Sequence, residues 1–158
     1  MTRDSLPPYT PWICDIQPAL SHVARFQVLN SVYGHISRWI SHGTPPPAAP
    51  RVDVVSAGPP VVLNRTNLGL ATGGIQLSQQ AVPTAVENGI NSGPDLCILY
   101  GSHTPLDAAT LAQLYQNHHA YVSAVSDVNN DNVKAGYILS EDAEANIFEA
   151  VQSGIVKR

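Results

Sequence analysis

The sequence predicts an α/β chain: one long amphipathic helix, a few short strands and a C-terminal group of three short helices. Three observations carry this expectation. Apolar residues recur at helical spacing between Arg25 and His42, short apolar runs elsewhere are cut off by glycine and proline, and the last third of the chain holds repeated helix-start and helix-stop residues. With 158 residues and 44% apolar content the chain can bury one modest core, so a single domain is expected.

In chain order, Met1 to Pro11 is a proline-spaced stretch that reads as starting inside a loop, as a truncated parent would, and residues 1–24 are expected to be irregular. From Arg25 to His42, the residues Leu29, Val32, Tyr33, Ile36, Trp39 and Ile40 fall on one helical stripe that should pack against something large. Gly43 offers a left-handed cap, and Thr44-Pro45-Pro46-Pro47 cannot continue the helix. Arg51 to Val55 and Val61-Val62-Leu63 read as two short strands with Gly58-Pro59-Pro60 turning between them. Asn67 to Pro94 is rich in Gly, Asn, Ser, Gln and Pro and is expected to form surface loops. Leu96 to Tyr100 is a compact apolar run that suits one buried strand. Thr104-Pro105-Leu106-Asp107 then combines a threonine N-cap, a proline at the first helical position and an acid at the third. A second helix is expected from His118 to Ala135, stopped by Gly136. A third is capped by Ser140, with Glu141 and Asp142 at the positive end of its dipole and Ile147, Phe148 and Val151 as its apolar stripe.

Composition excludes some functions. Only 13% of residues are charged, the net charge is −4 and the pI is about 5.8, so no basic surface is available to hold nucleic acid. No apolar run reaches the roughly 18 residues that a membrane span requires, and Met1 to Trp12 lacks a secretory apolar core. The chain is therefore expected to be soluble and without a signal peptide, with its compartment open. Cys14 and Cys97 are too few for a disulfide scaffold. One bridge between them is possible, and the alternative is that Cys97 is a small buried hydrophobe. Asn64-Arg65-Thr66 fits the N-glycosylation triplet, which matters only in a secreted chain.

Serine hydrolysis on an α/β scaffold needs a nucleophile on a strained strand-to-helix turn, usually Gly-x-Ser-x-Gly. The sequence contains none. The nearest candidate, Gly101-Ser102-His103, lacks the second glycine and reads as a polar turn. His22 stands just before the long helix, where a late catalytic histidine would lie, but without a nucleophile it reads as a loop residue. The adjacent His118 and His119 point about 100° apart on a helix and cannot easily share a metal. Asp127 to Asn132 copies the first half of a calcium loop, but its twelfth position is Ile138 and its sixth Asn132, so it reads as a solvated helix end. No catalytic, cofactor-binding or metal-ligating residue is assigned, and no cofactor is implied.

Five blocks carry a family resemblance: Phe26 to Asn30, Arg38 to Pro47, Gly73 to Leu77, Leu99 to Leu111 and Ala135 to Ala143. They resemble the C-terminal end of the alpha/beta hydrolase domain-containing family over Arg25 to about Val151. The resemblance implies that the helix ending in Trp39 to Pro47 follows the catalytic histidine and closes the hydrolase core. It implies an esterase-like parent acting on a small-molecule ester, with residues 25–158 as the C-terminal portion of its hydrolase domain. Neither the catalytic serine nor its acid lies in these blocks.

Two readings follow. The chain is a C-terminal fragment of a serine ester hydrolase, inactive alone because the nucleophile elbow is absent. Alternatively it is a non-catalytic binding or assembly module that presents an apolar helix face to a partner, either the missing N-terminal hydrolase portion or a second copy. A metal-binding domain resting on Asp127 and the paired histidines ranks last.

Overall fold

The structure, a computed structural model, describes residues 14–94 and 96–157; the proline-spaced stretch from Met1 and the leader expectation for Met1 to Trp12 lie outside them. The apolar periodicity after Ala24 produces α1 (Arg25–His42), closed as expected by Gly43, whose N–H donates to the Trp39 carbonyl at 3.0 Å. Its orientation departs from the usual pattern. Gln27, Ser31 and His35, spaced four apart, face the rest of the chain, and Ser31 Oγ and His35 Nε2 donate to the Gly136 carbonyl at 2.6 and 2.7 Å. Leu29, Tyr33, Ile36 and Ile40 sit on the opposite side at 100° per residue, and they are exposed, Tyr33 at 72% and Ile40 at 82%.

The two short strands between the prolines and the loop region form as expected. β1 (Val54–Ser56) pairs antiparallel with β2 (Val62–Leu63) across the Gly58-Pro59-Pro60 turn. Asn67 to Pro94, expected to be surface loops, instead supplies core. It contains α2 (Ser78–Ala81) and β3 (Ala85–Asn88), and it buries Leu70, Leu77, Val82 and Ala85. These buried residues are spaced irregularly among glycines, prolines and small polar residues, and so leave no helical period.

Leu96 to Tyr100 is not a strand. It forms the single-turn helix α3 (Cys97–Tyr100), in which Cys97 is buried and Ile98 and Leu99 are exposed. A run this short fits either conformation, and here Cys97 is anchored by a disulfide to Cys14. Of the two alternatives for the cysteines, the bridge is the one that forms.

Thr104 and Pro105 do not start a helix either; they end β4 (Ser102–Pro105), which pairs antiparallel with β3. The cap falls three residues later. Asp107 accepts from the Thr110 N–H at 2.8 Å and opens α4 (Ala108–Leu114). Asn117 caps α5 (His118–Lys134) through the Ala120 N–H at 2.9 Å. Gly136 follows at φ 78°, and a Cβ there would stand 3.3 Å from the His35 ring and from Pro47, so the turn suits glycine for both backbone and space. The third expected helix is α6 (Ser140–Gln152), but Leu139 rather than Ser140 is its N-cap. Its buried face is Ala143, Asn146 and Ala150, whereas Phe148 is 65% exposed, because small residues let α6 lie close against α5.

Six helices and two two-stranded antiparallel sheets thus make up the described residues. One apolar cluster gathers Val82, Tyr115, Tyr121, Val125 and Ala150, and another gathers Leu77, Ile138 and Ala143. Between α1, α5 and α6 runs a buried amide network. Gln27 and Asn146 exchange bonds at 2.8 and 3.0 Å, Asn146 Nδ2 donates to Asn129 Oδ1 at 2.6 Å, and Asn129 Nδ2 donates to the Val125 carbonyl.

Candidate functional site

The β3–β4 register places Glu87 directly opposite His103. Cross-strand partners project from the same face, so the carboxylate and the imidazole meet without a loop having to position them. Glu87 Oε1 lies 2.5 Å from His103 Nδ1. An ionised carboxylate can only accept, so Nδ1 is the donor in this contact, and in the neutral imidazole Nε2 then keeps its lone pair.

A third chain segment closes over this pair. Residues 15–21 run beside the sheet, held by Asp15 N–H to Ser92 O, Ser21 N–H to Tyr100 O, His103 N–H to Pro18 O and a bridge between Ala19 and Ser102. The Cys14–Cys97 bond fixes the start of this segment to α3. It delivers Ser21 Oγ and the His22 backbone N–H to the second carboxylate oxygen, Glu87 Oε2, at 3.0 and 2.8 Å. The His22 ring stacks on the His103 ring with centroids 3.9 Å apart and planes 20° from parallel. Gly101, between α3 and β4, is required at this junction: its φ is 69° and a Cβ would fall 2.2 Å from the Asn88 carbonyl oxygen.

The Glu87 side chain is only 4% exposed, whereas His103 is partly open and His22 is exposed. Alongside lies a cleft of about 610 Å³, lined by Leu20, Ser21, Phe26, Glu87, Leu99 and Tyr100 among others. The arrangement is an acid-oriented imidazole beside a mixed apolar and polar cleft, which suits proton transfer.

The residues considered from sequence fall out differently. Ser102 is 3% exposed and faces away from His103, as neighbours in a strand must, so it is no nucleophile for that imidazole. Ser21 gives its proton to the carboxylate rather than to an imidazole nitrogen. His22 does join the cluster. His118 instead contacts the Ile155 and Val151 carbonyls, and His119 is exposed beside it. Asp127 to Asn132 is helical within α5, with Asn129 buried in the amide network and Asn132 buried and bonded to the Gln76 carbonyl, so it is neither a calcium loop nor a solvated end. Asn64 is exposed, and its amide donates to Thr72 Oγ1 at 2.9 Å. Sequence reasoning missed Glu87 and passed over His103; the only trace was a histidine directly after Gly101-Ser102.

The model of the Alpha/beta hydrolase domain family matches residues 3–148. This chain belongs to that family. The match takes in β3, β4, α1 and the whole His22, Glu87 and His103 cluster, so the acid–imidazole pair lies inside the alpha/beta hydrolase domain. No solved structure matches the chain. Among the described residues of this hydrolase-family domain, no helix is long and apolar enough to cross a membrane.

Proposed function

We propose that this chain supplies the acid and base of a serine ester hydrolase, with Glu87 orienting His103 as general base, and that it is inactive alone. The observation that carries this is the 2.5 Å contact between the buried Glu87 carboxylate and His103 Nδ1, the nitrogen whose donation leaves Nε2 as the acceptor in the neutral ring. In a serine hydrolase the acid holds the histidine tautomer, and the histidine takes the serine proton and returns it to the leaving group. Both roles match Glu87 and His103, which puts the base after α1 instead of before it, where the resemblance placed the catalytic histidine. The serine is assigned to a separate segment, because the sequence holds no Gly-x-Ser-x-Gly and, next to the pair, Ser21 is bound to the carboxylate and Ser102 is buried. His22, stacked on His103, limits how the base ring can turn.

The test combines a short-chain p-nitrophenyl ester, fluorophosphonate labelling and carbethoxylation of the histidines in the purified, monodisperse chain. The expected result is no turnover and no labelled serine, with His103 carbethoxylated severalfold faster than in Glu87→Gln, because the carboxylate holds the lone pair on Nε2. Serine labelling with turnover would refute inactivity of the isolated chain and point to Ser21. Equal His103 reactivity in the two proteins would remove Glu87 as the orienting acid.

The exposed apolar side of α1 favours a second reading, a binding or assembly module whose partner covers that face. The two readings coincide if the segment covering α1 also brings the serine.

A further inference from the structure

Glu87 is a buried carboxylate that no lysine or arginine pairs with among the described residues. Its hydrogen bonds come from a hydroxyl, a backbone amide and an imidazole, which leave its charge uncompensated whenever that imidazole is neutral. Two imidazoles and a carboxylate converge there. A nitrogen of His22, an oxygen of Glu87 and a nitrogen of His103 all lie within 4.8 Å of one another.

We propose that His22, Glu87 and His103 bind a divalent transition metal ion of the zinc class, with a fourth position open to the adjoining cleft. Two imidazoles and one carboxylate form a donor set that suits zinc, which binds such nitrogen and oxygen ligands at about 2.0–2.2 Å and keeps an open position when the protein supplies three. Tetrahedral ligands at that radius stand about 3.3 Å apart. The cluster therefore needs its widest pair to close by at most about 1.5 Å and the contact between His103 and Glu87 to open slightly. His22 is exposed, so its ring can swing out of the stack without disturbing packing. Ser21 and the His22 amide hold Oε2 in place while Oε1 exchanges the His103 Nδ1 proton for the ion; such support from outside the ligand set characterises metal carboxylates. Both cysteines are bridged, so no thiolate competes for the ion.

An ion held by Glu87 Oε1 and the facing His103 Nδ1 would displace the Nδ1 proton and leave the ring protonated on Nε2, so the metal-loaded chain would have no free base at His103. This consequence rests on the acid–base reading above, whereas the binding does not.

The experiment is a titration of the whole purified chain with Co²⁺, followed by displacement with Zn²⁺ and read by the visible absorption of low-coordinate cobalt. One ion per chain is expected, with affinity about 10-fold to 100-fold weaker or worse in His22→Ala and in His103→Ala, and unchanged in His118→Ala. Glu87 also holds Ser21 and the His22 amide, so Glu87→Gln is informative only when circular dichroism shows a native fold. His22→Ala changes an exposed ring and decides the matter. Absence of the cobalt spectrum in the folded chain, or equal affinity in the wild type and both histidine variants, would overturn the proposal. Neither result involves an ester or a serine, so loss of the metal site leaves the acid–base reading standing, and the reverse also holds.

Discussion

At the scale of single residues, the buried amides of Gln27, Asn129 and Asn146 join helices that apolar contacts alone would not align. Each of these side chains is almost fully buried, and each donor has an acceptor within 3.0 Å. Removing one member strands the others in a place water does not reach. Asn146→Ala leaves the Gln27 amide and Asn129 Oδ1 without partners, and the expected loss is about 2–4 kcal/mol of unfolding free energy in urea. Gln27→Ala should cost less, and the double variant should fall short of the sum by about 1 kcal/mol, since both substitutions break the same bond pair. Strict additivity in the melts would mean that the network is not coupled. The Glu87–His103 pair obeys the same residue-scale logic, but its partners are arranged to leave one nitrogen open rather than to satisfy every group.

The contact of Tyr115 with Tyr121 of α5 sets a pH limit on the fold. Tyr115 follows α4 and donates to the Pro83 carbonyl at 2.9 Å, and its ring meets that of Tyr121 edge-on at 5.2 Å. Burial pushes the Tyr115 phenol well above its ordinary value, and the neighbouring Tyr121 adds to the shift. Burial also raises Tyr121, with Glu149 contributing and the Ser153 hydrogen bond opposing. The folded chain therefore holds these protons at a pH where the unfolded chain, titrating near about 10, has begun to release them. Stability from this source is complete below about pH 10 and declines as pH rises further. Thermal melts should show that decline, and Tyr115→Phe, which keeps the ring but has no proton to lose, should shallow it; an unchanged slope would assign the alkaline loss to other groups. The helices here also mark what the sequence made legible. α1 and α5 emerged because long periodic runs end at Gly43 and Gly136. α3 and β4 did not: a short apolar run suits either conformation, and the start signal at Thr104-Pro105 was outbid by β3, an unsuspected partner strand. With β3 taken for loop, no register existed to bring Glu87 opposite His103, and the site stayed hidden.

At the scale of the whole molecule, the decisive feature is which side of α1 faces inward. Periodicity showed an apolar stripe but could not say what covers it, and the chain turns Gln27, Ser31 and His35 toward its own core. Leu29, Tyr33, Ile36, Trp39 and Ile40 are left as a contiguous exposed face. Covering a large apolar side chain is worth about 1.5–3 kcal/mol, so a partner seated along this helix would gain substantially from a few of them. The polar side stays bonded to Gly136 and Asn146 whether or not that partner is present, so the face can be altered without unfolding the chain. Trp39→Glu with Ile40→Glu should leave the melting temperature within a few degrees of the parent, because neither side chain supports the core. The same pair should remove concentration-dependent association of the parent in sedimentation or light scattering. A large loss of stability would show instead that α1 packs through its apolar side, with the amide network opposite it broken. A parent that stays monomeric at every concentration would rule out a second copy as the cover and leave a different chain segment, the one expected to carry the serine, as the occupant of that face.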